Sequence, residues 1–186
     1  MTFTTREEWL EAALGQLLRV LPKGTIIPPV KVSVGWPKGA SDRKTAGQCF
    51  SKKMSHDEAT HHVFISPMLT DPVDVLRTGL HEVIHALVGV EVQHRGEFAR
   101  LAGSVGLLKP WTSTPASDEL RLKLQDIAAG LGEYPHVGLA PGMKKQTTRM
   151  KLYECLCSPP QKVRKAGRRL NATCDDCGGK FIRQEE

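Results

Sequence analysis

The stretch His81-Glu82-Val83-Ile84-His85 decides how the rest of the chain is interpreted. Two histidines four positions apart lie on one face of an α-helix, so both imidazoles can reach the same metal ion. The carboxylate of Glu82 then stands beside the open coordination position of that metal. The spacing predicts the metal helix of a zinc-dependent hydrolase, with Glu82 as its catalytic residue.

The residues on either side predict the limits of that helix. Asp71 is a good N-cap, Pro72 suits the first helical position, and Gly89 is a typical stop, so the helix is expected to run from Pro72 to Val88. Its apolar residues fall in one sector and both histidines fall beside that sector. The alternative is a core helix with two structural histidines, but such a helix gives no reason for the glutamate.

A catalytic zinc needs a third protein ligand and one open position. The favoured ligand is His94, at the start of the next predicted helix, because its ring can reach back to the first two histidines. Glu91 and Glu97 are rival ligands, and Glu119 and Glu133 are more distant ones. The prediction is a site with three histidine ligands and an acidic residue beside it.

Hydrophobic spacing and turn residues predict the remaining elements of an α+β fold. They are an N-terminal helix capped at Thr5 and ending before Pro22, strands over 30–36, 47–50 and 61–66, a helix over 94–106, and a helix from Thr114 or Ser117 through Ala128. A loop or linker follows over 130–142. Tyr134 and His136 lie in it and are given no role.

The strand over 61–66 lies just before the metal helix. In metallopeptidases such a strand commonly forms the sheet edge on which an extended substrate lies, and this segment is the predicted edge. His61 and His62 face opposite ways on a strand, so they are expected, with His56, to pack or face solvent rather than bind metal. Cys49 is expected to be a buried small hydrophobe rather than a reactive thiol.

Four of the five cysteines form two pairs near the end of the chain. The pairs are Cys155-x-Cys157 and Cys174-x-x-Cys177, an arrangement that closes a tetrahedral structural zinc site. Residues 151–153 and 181–182 are the expected flanking strands. A structural site has no open position, so this zinc would fold the module rather than do chemistry.

The positive charge is concentrated in the same part of the chain. Residues 143–186 hold 11 Lys and Arg against 5 Asp and Glu, which leaves 15 of each in residues 1–142 and places the net charge of +6 in the tail. A basic tail indicates an anionic partner, usually nucleic acid, although it can also serve solubility. The candidate phosphate-binding residues are Lys162, Arg164, Lys165, Arg168 and Arg169. Tyr153 and Phe181 are the aromatic residues nearby for base stacking.

The motif His-Glu-x-x-His, then His94-Arg95-Gly96-Glu97-Phe98, then Leu101-Ala102 and Gly106-Leu107, resembles the SprT-like zinc metallopeptidases, which include the Spartan-type DNA–protein crosslink proteases. The run from Tyr153 to Cys157 resembles the start of the zinc ribbon that often ends this family. Arg95 interrupts the usual His-Gly doublet, and the short spacing to the third histidine lies between this family and the WLM proteases. The subfamily stays open.

The resemblance implies a zincin-like metallopeptidase core over 1–142 and a basic four-cysteine zinc ribbon over 143–186. It also implies one catalytic and one structural Zn²⁺, a protein or peptide substrate, and DNA bound through the ribbon. Glu82 would take a proton from a zinc-activated water and pass it to the leaving amine. The alternative is a non-catalytic, zinc-stabilised nucleic-acid-binding or transcription-associated protein.

The composition is that of an ordinary globular chain of 186 residues, with 40% hydrophobic residues. No apolar run approaches the ~20 residues of a membrane span, and the N-terminal segment lacks an export signal, so a cytoplasmic protein with no membrane partner is expected. The oligomeric state is left open by the sequence.

Overall fold

A computed structural model describes residues 2–36, 45–139, 150–166 and 169–184. The chain divides into two compact units, Met1–Pro141 and Gly142–Glu186, which are described separately. The first unit contains α1 (Arg6–Leu17), β1 (Val30–Val34), β2 (Gly47–Phe50), β3 (His61–Ile65), α2 (Pro72–Val88), α3 (Gly96–Ser104) and α4 (Asp118–Leu131). The second contains β4 (Lys151–Glu154), β5 (Lys162–Lys165) and β6 (Ile182–Arg183).

Helix α2 has the limits that its flanking residues predict. The Asp71 carboxylate accepts a hydrogen bond from the Asp74 amide at 2.9 Å, and Pro72 occupies the first turn. The helix ends at Gly89, whose φ of 93° is a conformation that residues with a Cβ rarely adopt. Most of the helix is buried, so it forms the centre of the first unit.

The first sheet has the order β1-β3-β2, with β1 parallel and β2 antiparallel to β3. The expectation that 61–66 forms the substrate-binding edge is therefore wrong, because β3 is the central strand. Residues 51–60 reverse the chain after β2, so β3 pairs with β2 on one side. Strand β1, which comes earlier in the chain, pairs with the other side of β3. Strand β2 is the edge that packs against α2, since Gly47 lies directly against Glu82.

Helices α1 and α4 cover α2 and complete the core. The Thr5 capping box is present, but α1 ends at Leu17 and continues only as a turn, although Leu21 is still buried as its spacing predicts. Ser117 is the cap of α4. The largest fully buried side chains of this core are Trp9, Phe98, Leu17, Ile65, Leu76, Leu80, Ile84, Leu107, Leu120, Leu124, Ile127 and Val63.

The segment between α2 and α3 departs from its prediction. A 3₁₀ turn covers Val90–Val92, and α3 begins at Gly96 rather than at His94. Gln93 has φ 54° and ψ −138°, a backbone conformation that is costly for a residue with a side chain. His94 therefore lies in a short, irregular connection whose path is fixed by the two helices that it joins.

In the second unit the antiparallel sheet has the order β5-β4-β6. Strand β5 is absent from the predicted elements because Lys162–Lys165 is basic and has no buried face. It exists as a strand because it pairs with β4, from Glu154↔Lys162 to Lys151↔Lys165. The two predicted flanking strands are present, with the second shifted by one residue to Ile182–Arg183.

The predicted α+β class is confirmed by a small mixed sheet, the helix that carries the first two histidines, and an antiparallel sheet beside four cysteines. In the described part of the chain, no helix combines the length and the apolar character that crossing a membrane requires.

Candidate metal centre

Three histidine rings converge on one point in the first unit. His81 and His85 project from successive turns of α2, and His94 comes from the connection before α3. The Nε2 atom of His94 lies 3.1 Å from Nε2 of His81 and 3.2 Å from Nε2 of His85. The sequence prediction that His94 joins the two helical histidines matches this arrangement.

The distances from the His94 nitrogen to those of His81 and His85 fit ligands of one zinc ion. At a Zn–N distance of about 2.05 Å, two ligand nitrogens of a tetrahedral site lie about 3.3 Å apart. Burial, and then the neighbouring histidines, lower the pKa of His81 to about 3. Burial and then His94 lower the pKa of His85 to about 4, and burial also lowers that of His94. The rings are therefore neutral at pH 7, and a neutral imidazole has the free lone pair that a metal requires.

Phe98 packs against all three rings from the first turn of α3. Its ring is stacked on His85 at a centroid distance of 4.3 Å, and it meets His81 at 4.9 Å and His94 at 5.1 Å, both edge to face. The side chain is fully buried. It therefore forms an apolar floor that restricts the orientation of every candidate ligand.

A threonine contacts the first ligand from the other side. The Thr114 hydroxyl lies 2.8 Å from Nδ1 of His81. Neither this contact nor that of Phe98 with the three rings is predicted from the sequence, because Thr114 lies 33 positions from His81 and no local pattern links the two. The sequence marks Phe98 only as an aromatic residue after His94.

Glu82 lies in the same cavity as the histidines. Its side chain is buried, and burial raises the pKa of the carboxyl to about 8, opposed by a hydrogen bond from the Cys49 backbone. A Cβ on Gly47 would lie 2.7 Å from Oε1 of Glu82 and 2.6 Å from Cγ2 of Thr78. The edge strand β2 can approach the glutamate this closely because residue 47 has no side chain.

The histidines and Glu82 open into a cavity of about 530 Å³. Its lining includes the segment from Thr45 through Cys49, which covers most of β2, and the segment Thr112–Thr114. A carboxyl group, three imidazoles suited to a metal, and access for a substrate are thus brought together in one place.

The rival ligands lie outside this cluster. The described clusters of metal-binding side chains are the three histidines and the four tail cysteines, and neither contains a carboxylate. Glu91 lies against Gly89, Glu97 pairs with Arg100 and Glu119 pairs with Lys123. His56, His61 and His62 are not members of either cluster.

The structure shows the contacts of three further residues to which the sequence assigns no functional role. Tyr134 packs against Trp9 at 4.9 Å, and His136 lies 2.8 Å from the Pro67 carbonyl and 3.3 Å from Arg6. Neither lines the metal cavity. Cys49 does line it, but burial, and then Glu82, raise the pKa of its thiol to about 12, so it is not a reactive thiolate at neutral pH.

The four tail cysteines form the second cluster, with all Sγ atoms within 4.8 Å of one another. Sγ of Cys157 and Sγ of Cys174 are 3.8 Å apart, and two thiolates on one tetrahedral zinc lie about 3.8 Å apart at a Zn–S distance of about 2.3 Å. Burial opposes ionisation of Cys155, but hydrogen bonds from the Cys157 and Gln161 backbones lower its pKa to about 7. None of the cysteines forms a disulfide.

The candidate phosphate-binding residues do not form one stripe. Lys162 and Arg164 share one face of β5, and Lys162 also pairs with Glu154 at 3.2 Å. Lys165 lies on the opposite face, directly across from Lys151. The remaining members of the predicted set are Arg169, which is exposed, and Arg168, which lies outside the described residues. Tyr153 is only 3% exposed, so its proposed availability for base stacking is wrong.

Comparisons with known proteins give no relative from which a function can be transferred. No family model matches the chain, and no curated protein or solved structure matches it at a significant level. The arguments about function therefore rest on the geometry of the two metal clusters and the residues around them.

Proposed function

We propose that the chain is a zinc-dependent endopeptidase of the SprT-like type, which hydrolyses protein substrates in association with DNA. The observation that carries the proposal is the meeting of three histidine Nε2 atoms and the buried Glu82 carboxyl at the wall of an open cavity. A structural metal site is closed by its ligands and has no use for a carboxylate and a cavity beside it.

In this proposal His81, His85 and His94 hold a catalytic zinc. Zinc in such a site supplies a Lewis acid that activates water and polarises a carbonyl group. Burial alone favours the protonated form of Glu82, but the positive charge of a bound zinc would favour the ionised form, so its carboxylate can accept a proton from the attacking water and later donate it to the leaving amine. Its fixed place on α2, between the two helical ligands, keeps the proton acceptor beside the reacting atoms.

The edge position of β2 supports a peptide as the substrate. An edge strand has main-chain N–H and C=O groups that can pair with an added extended chain, and here those groups border the metal cavity. This assigns to β2 the substrate-binding role that the sequence had placed on 61–66. Besides the histidines and Glu82, the cavity lining includes small hydroxyl side chains, such as those of Thr45, Thr112 and Ser113.

The association with DNA rests on the second unit. Strand β5 is exposed along its whole length and carries Lys162, Arg164 and Lys165. The four cysteines would hold a structural zinc that fixes this strand beside β4. Basic side chains on a small rigid module suit phosphate-backbone binding without base recognition, which weakens as salt is raised.

The test is proteolysis by the zinc-loaded full chain. A basic DNA-binding protein is incubated with it, with and without single-stranded DNA, and fragments are followed by gel. Cleavage should need Glu82, so Glu82→Gln should lose at least about 100-fold in rate, the lower range for a general base. The matched control is Glu97→Gln, which removes an exposed carboxylate on α3 and should cleave as the parent does.

Three other outcomes would contradict parts of the proposal. Cleavage at an unchanged rate in Glu82→Gln would remove that residue from catalysis. No cleavage in any condition, with two zinc ions per chain and DNA bound, would instead support the non-catalytic nucleic-acid-binding protein. Cleavage that DNA neither accelerates nor localises would leave a zinc peptidase without the DNA association.

A further inference from the structure

We infer that Thr114 is a positioning residue for the metal ligand His81, and that Arg77 holds the loop that presents Thr114. This inference rests on the zinc site of the proposed function, which it deepens by naming a residue pair that orients one ligand. It concerns residues that the motif does not contain.

The first step is the hydrogen bond between Thr114 and His81. The Thr114 Oγ1 atom lies 2.8 Å from His81 Nδ1. If Nε2 is to bind a metal, the ring proton must lie on Nδ1, so Nδ1–H donates and the hydroxyl oxygen accepts. The contact therefore fixes both the tautomer and the rotation of the imidazole that metal binding requires.

The second step is the backbone of Thr114. Its φ is 39°, in the left-handed region where β-branched residues are rare, and its side chain is fully buried. Amide N–H groups of Ser113 and Thr114 both donate to the Pro110 carbonyl, at 3.0 and 2.8 Å. A tight loop thus holds a threonine in an unfavourable conformation that points its hydroxyl at the ligand.

The third step is the attachment of this loop to α2. Arg77, one turn before His81, donates from Nη1 to the carbonyls of Ser113 at 2.8 Å and Thr114 at 3.3 Å. Its Nε donates to the Asp74 carboxylate at 3.4 Å. Helix α2, which carries His81, therefore also holds the loop whose Thr114 orients the His81 ring.

The arrangement singles out His81 among the three ligands. The Nδ1 atom of His85 is buried and has no hydrogen-bond partner in the described part of the chain. Aromatic packing on Phe98 acts on all three rings, whereas the hydrogen bond to Thr114 acts on His81 alone. Loss of the Thr114 hydroxyl should therefore loosen one ligand and leave the fold in place.

The test compares Thr114→Val with Thr114→Ser in the full chain. Valine keeps the shape and the β-branch but removes the acceptor, whereas serine keeps the hydroxyl. Zinc affinity is measured by competition with a chelator, and the four-cysteine site serves as the internal control. Thr114→Val should bind zinc at the histidine site about 10- to 100-fold more weakly, the usual effect of losing such a partner. Thr114→Ser should remain close to the parent.

The remote control is Thr25→Val, which removes the hydroxyl that donates to the Pro22 carbonyl in an exposed turn and should leave zinc affinity unchanged. Arg77→Gln removes the hold on the loop and should weaken zinc binding in the same direction as Thr114→Val. Equal zinc affinity in Thr114→Val and the parent would overturn the inference.

A second readout does not depend on zinc. Long-range ¹H–¹⁵N spectra of the zinc-free parent should show His81 with its proton on Nδ1, and in Thr114→Val the two tautomers should mix. A proton on Nε2 of His81 in the parent would overturn the inference even if the valine variant does not fold. If the parent binds no zinc at the histidines while His81 still shows the Nδ1–H tautomer, the proposed metal site fails and the positioning contact stands.

Discussion

Phe98 has no atom that can bind a metal, yet it contacts all three histidine rings of the candidate metal site. Its centroid lies 4.3 to 5.1 Å from those of the three histidines, and its side chain has no exposed surface. A ligand set held in this way loses less conformational entropy when a metal binds. At the scale of single residues, the site depends on side chains behind the ligands as much as on the ligands.

Replacing Phe98 by leucine should weaken zinc binding at the histidine site by about 10-fold, because a flat ring that contacts three imidazoles becomes a smaller, flexible group. The loss of global stability should be about 1–2 kcal/mol, because leucine fills only part of the space of a fully buried ring. Chelator competition and urea denaturation measure the two effects. The control is Phe64→Leu, which removes an edge-to-face pair with Phe50 in the sheet. Equal zinc affinity in the two variants would contradict the role given to Phe98.

Replacing Gly47 by alanine should reduce peptide hydrolysis by at least about 10-fold, because the new Cβ would lie 2.7 Å from Oε1 of Glu82 and must displace the carboxylate. The overpacking itself should cost about 1–3 kcal/mol. The rate is measured on a peptide substrate, and stability by denaturation. Gly15→Ala is the control, since no atom lies within 4 Å of the added Cβ and activity should not change. Full activity in Gly47→Ala would show that Glu82 is not confined by β2.

The sequence allowed the candidate ligands to be proposed, but not the residues that hold them in place. His81, Glu82 and His85 follow from spacing along one helix, a local property. Thr114, Gly47 and the packing of Phe98 depend on contacts across the fold, between residues that no periodicity connects. These contacts arise when the loop before α4 and the strand β2 meet α2, so they can be identified only once the chain is folded.

Among the secondary-structure elements, α2 was predictable because its start, apolar sector and end are each encoded by neighbouring residues. The strands were less predictable from their neighbouring residues. The central place of β3 depends on β2 folding back against it, and β5 depends on pairing with β4 rather than on an apolar face of its own. Pairing partners are a tertiary property, and a short polar strand has no other signature.

Replacing Cys174 by serine should remove one of two zinc equivalents and unfold β4, β5 and β6, because a small sheet with an exposed strand has little apolar burial apart from the metal. The resonances of the second unit should collapse to random-coil positions in ¹H–¹⁵N spectra. Those of the first unit serve as the internal control and should keep their dispersion. A folded, zinc-free ribbon would contradict a structural role for the metal.

At the scale of the whole molecule, charge and burial divide between the two compact units. Residues 143–186 carry the excess of Lys and Arg, whereas four of the seven histidines, namely His61, His81, His85 and His94, have a pKa lowered chiefly by burial in the first unit. Acid should therefore lower the stability of the first unit. Added salt should weaken phosphate binding by the second unit, and metal removal should unfold it.

The zinc-free first unit should lose stability as the pH falls below about 6.5, the ordinary pKa of histidine in an unfolded chain. Because the folded pKa values are lower, to about 4 for His85 and about 3 for His81, the unfolded state binds more protons and is favoured by acid. Glu82 acts in the opposite direction, because burial raises the pKa of its carboxyl to about 8 and the folded state then binds the extra proton, but four histidines outweigh one carboxyl. The net loss of stability therefore begins below about pH 6.5 and continues down to the folded histidine values. Urea denaturation between pH 7.5 and 5 measures it.

The matched variant for this prediction is His61→Leu, which removes one buried histidine whose Nδ1 has no described partner. It should make the acid loss shallower. A first unit whose stability rises from pH 6.5 to pH 5, or an unchanged slope in His61→Leu, would contradict this account.

The edge position of β2 has a consequence for what the proposed enzyme would select. Pairing along an edge strand uses main-chain groups that every peptide shares, and the segment Thr112–Thr114 of the cavity lining offers small hydroxyl groups. The choice of substrate would then depend on the conformational freedom of a segment rather than on its sequence. A segment of about 5–6 residues that can leave its own fold and become extended could bind, whatever its side chains. A folded domain would survive contact with the enzyme, and the same domain, once locally unfolded, would become a substrate.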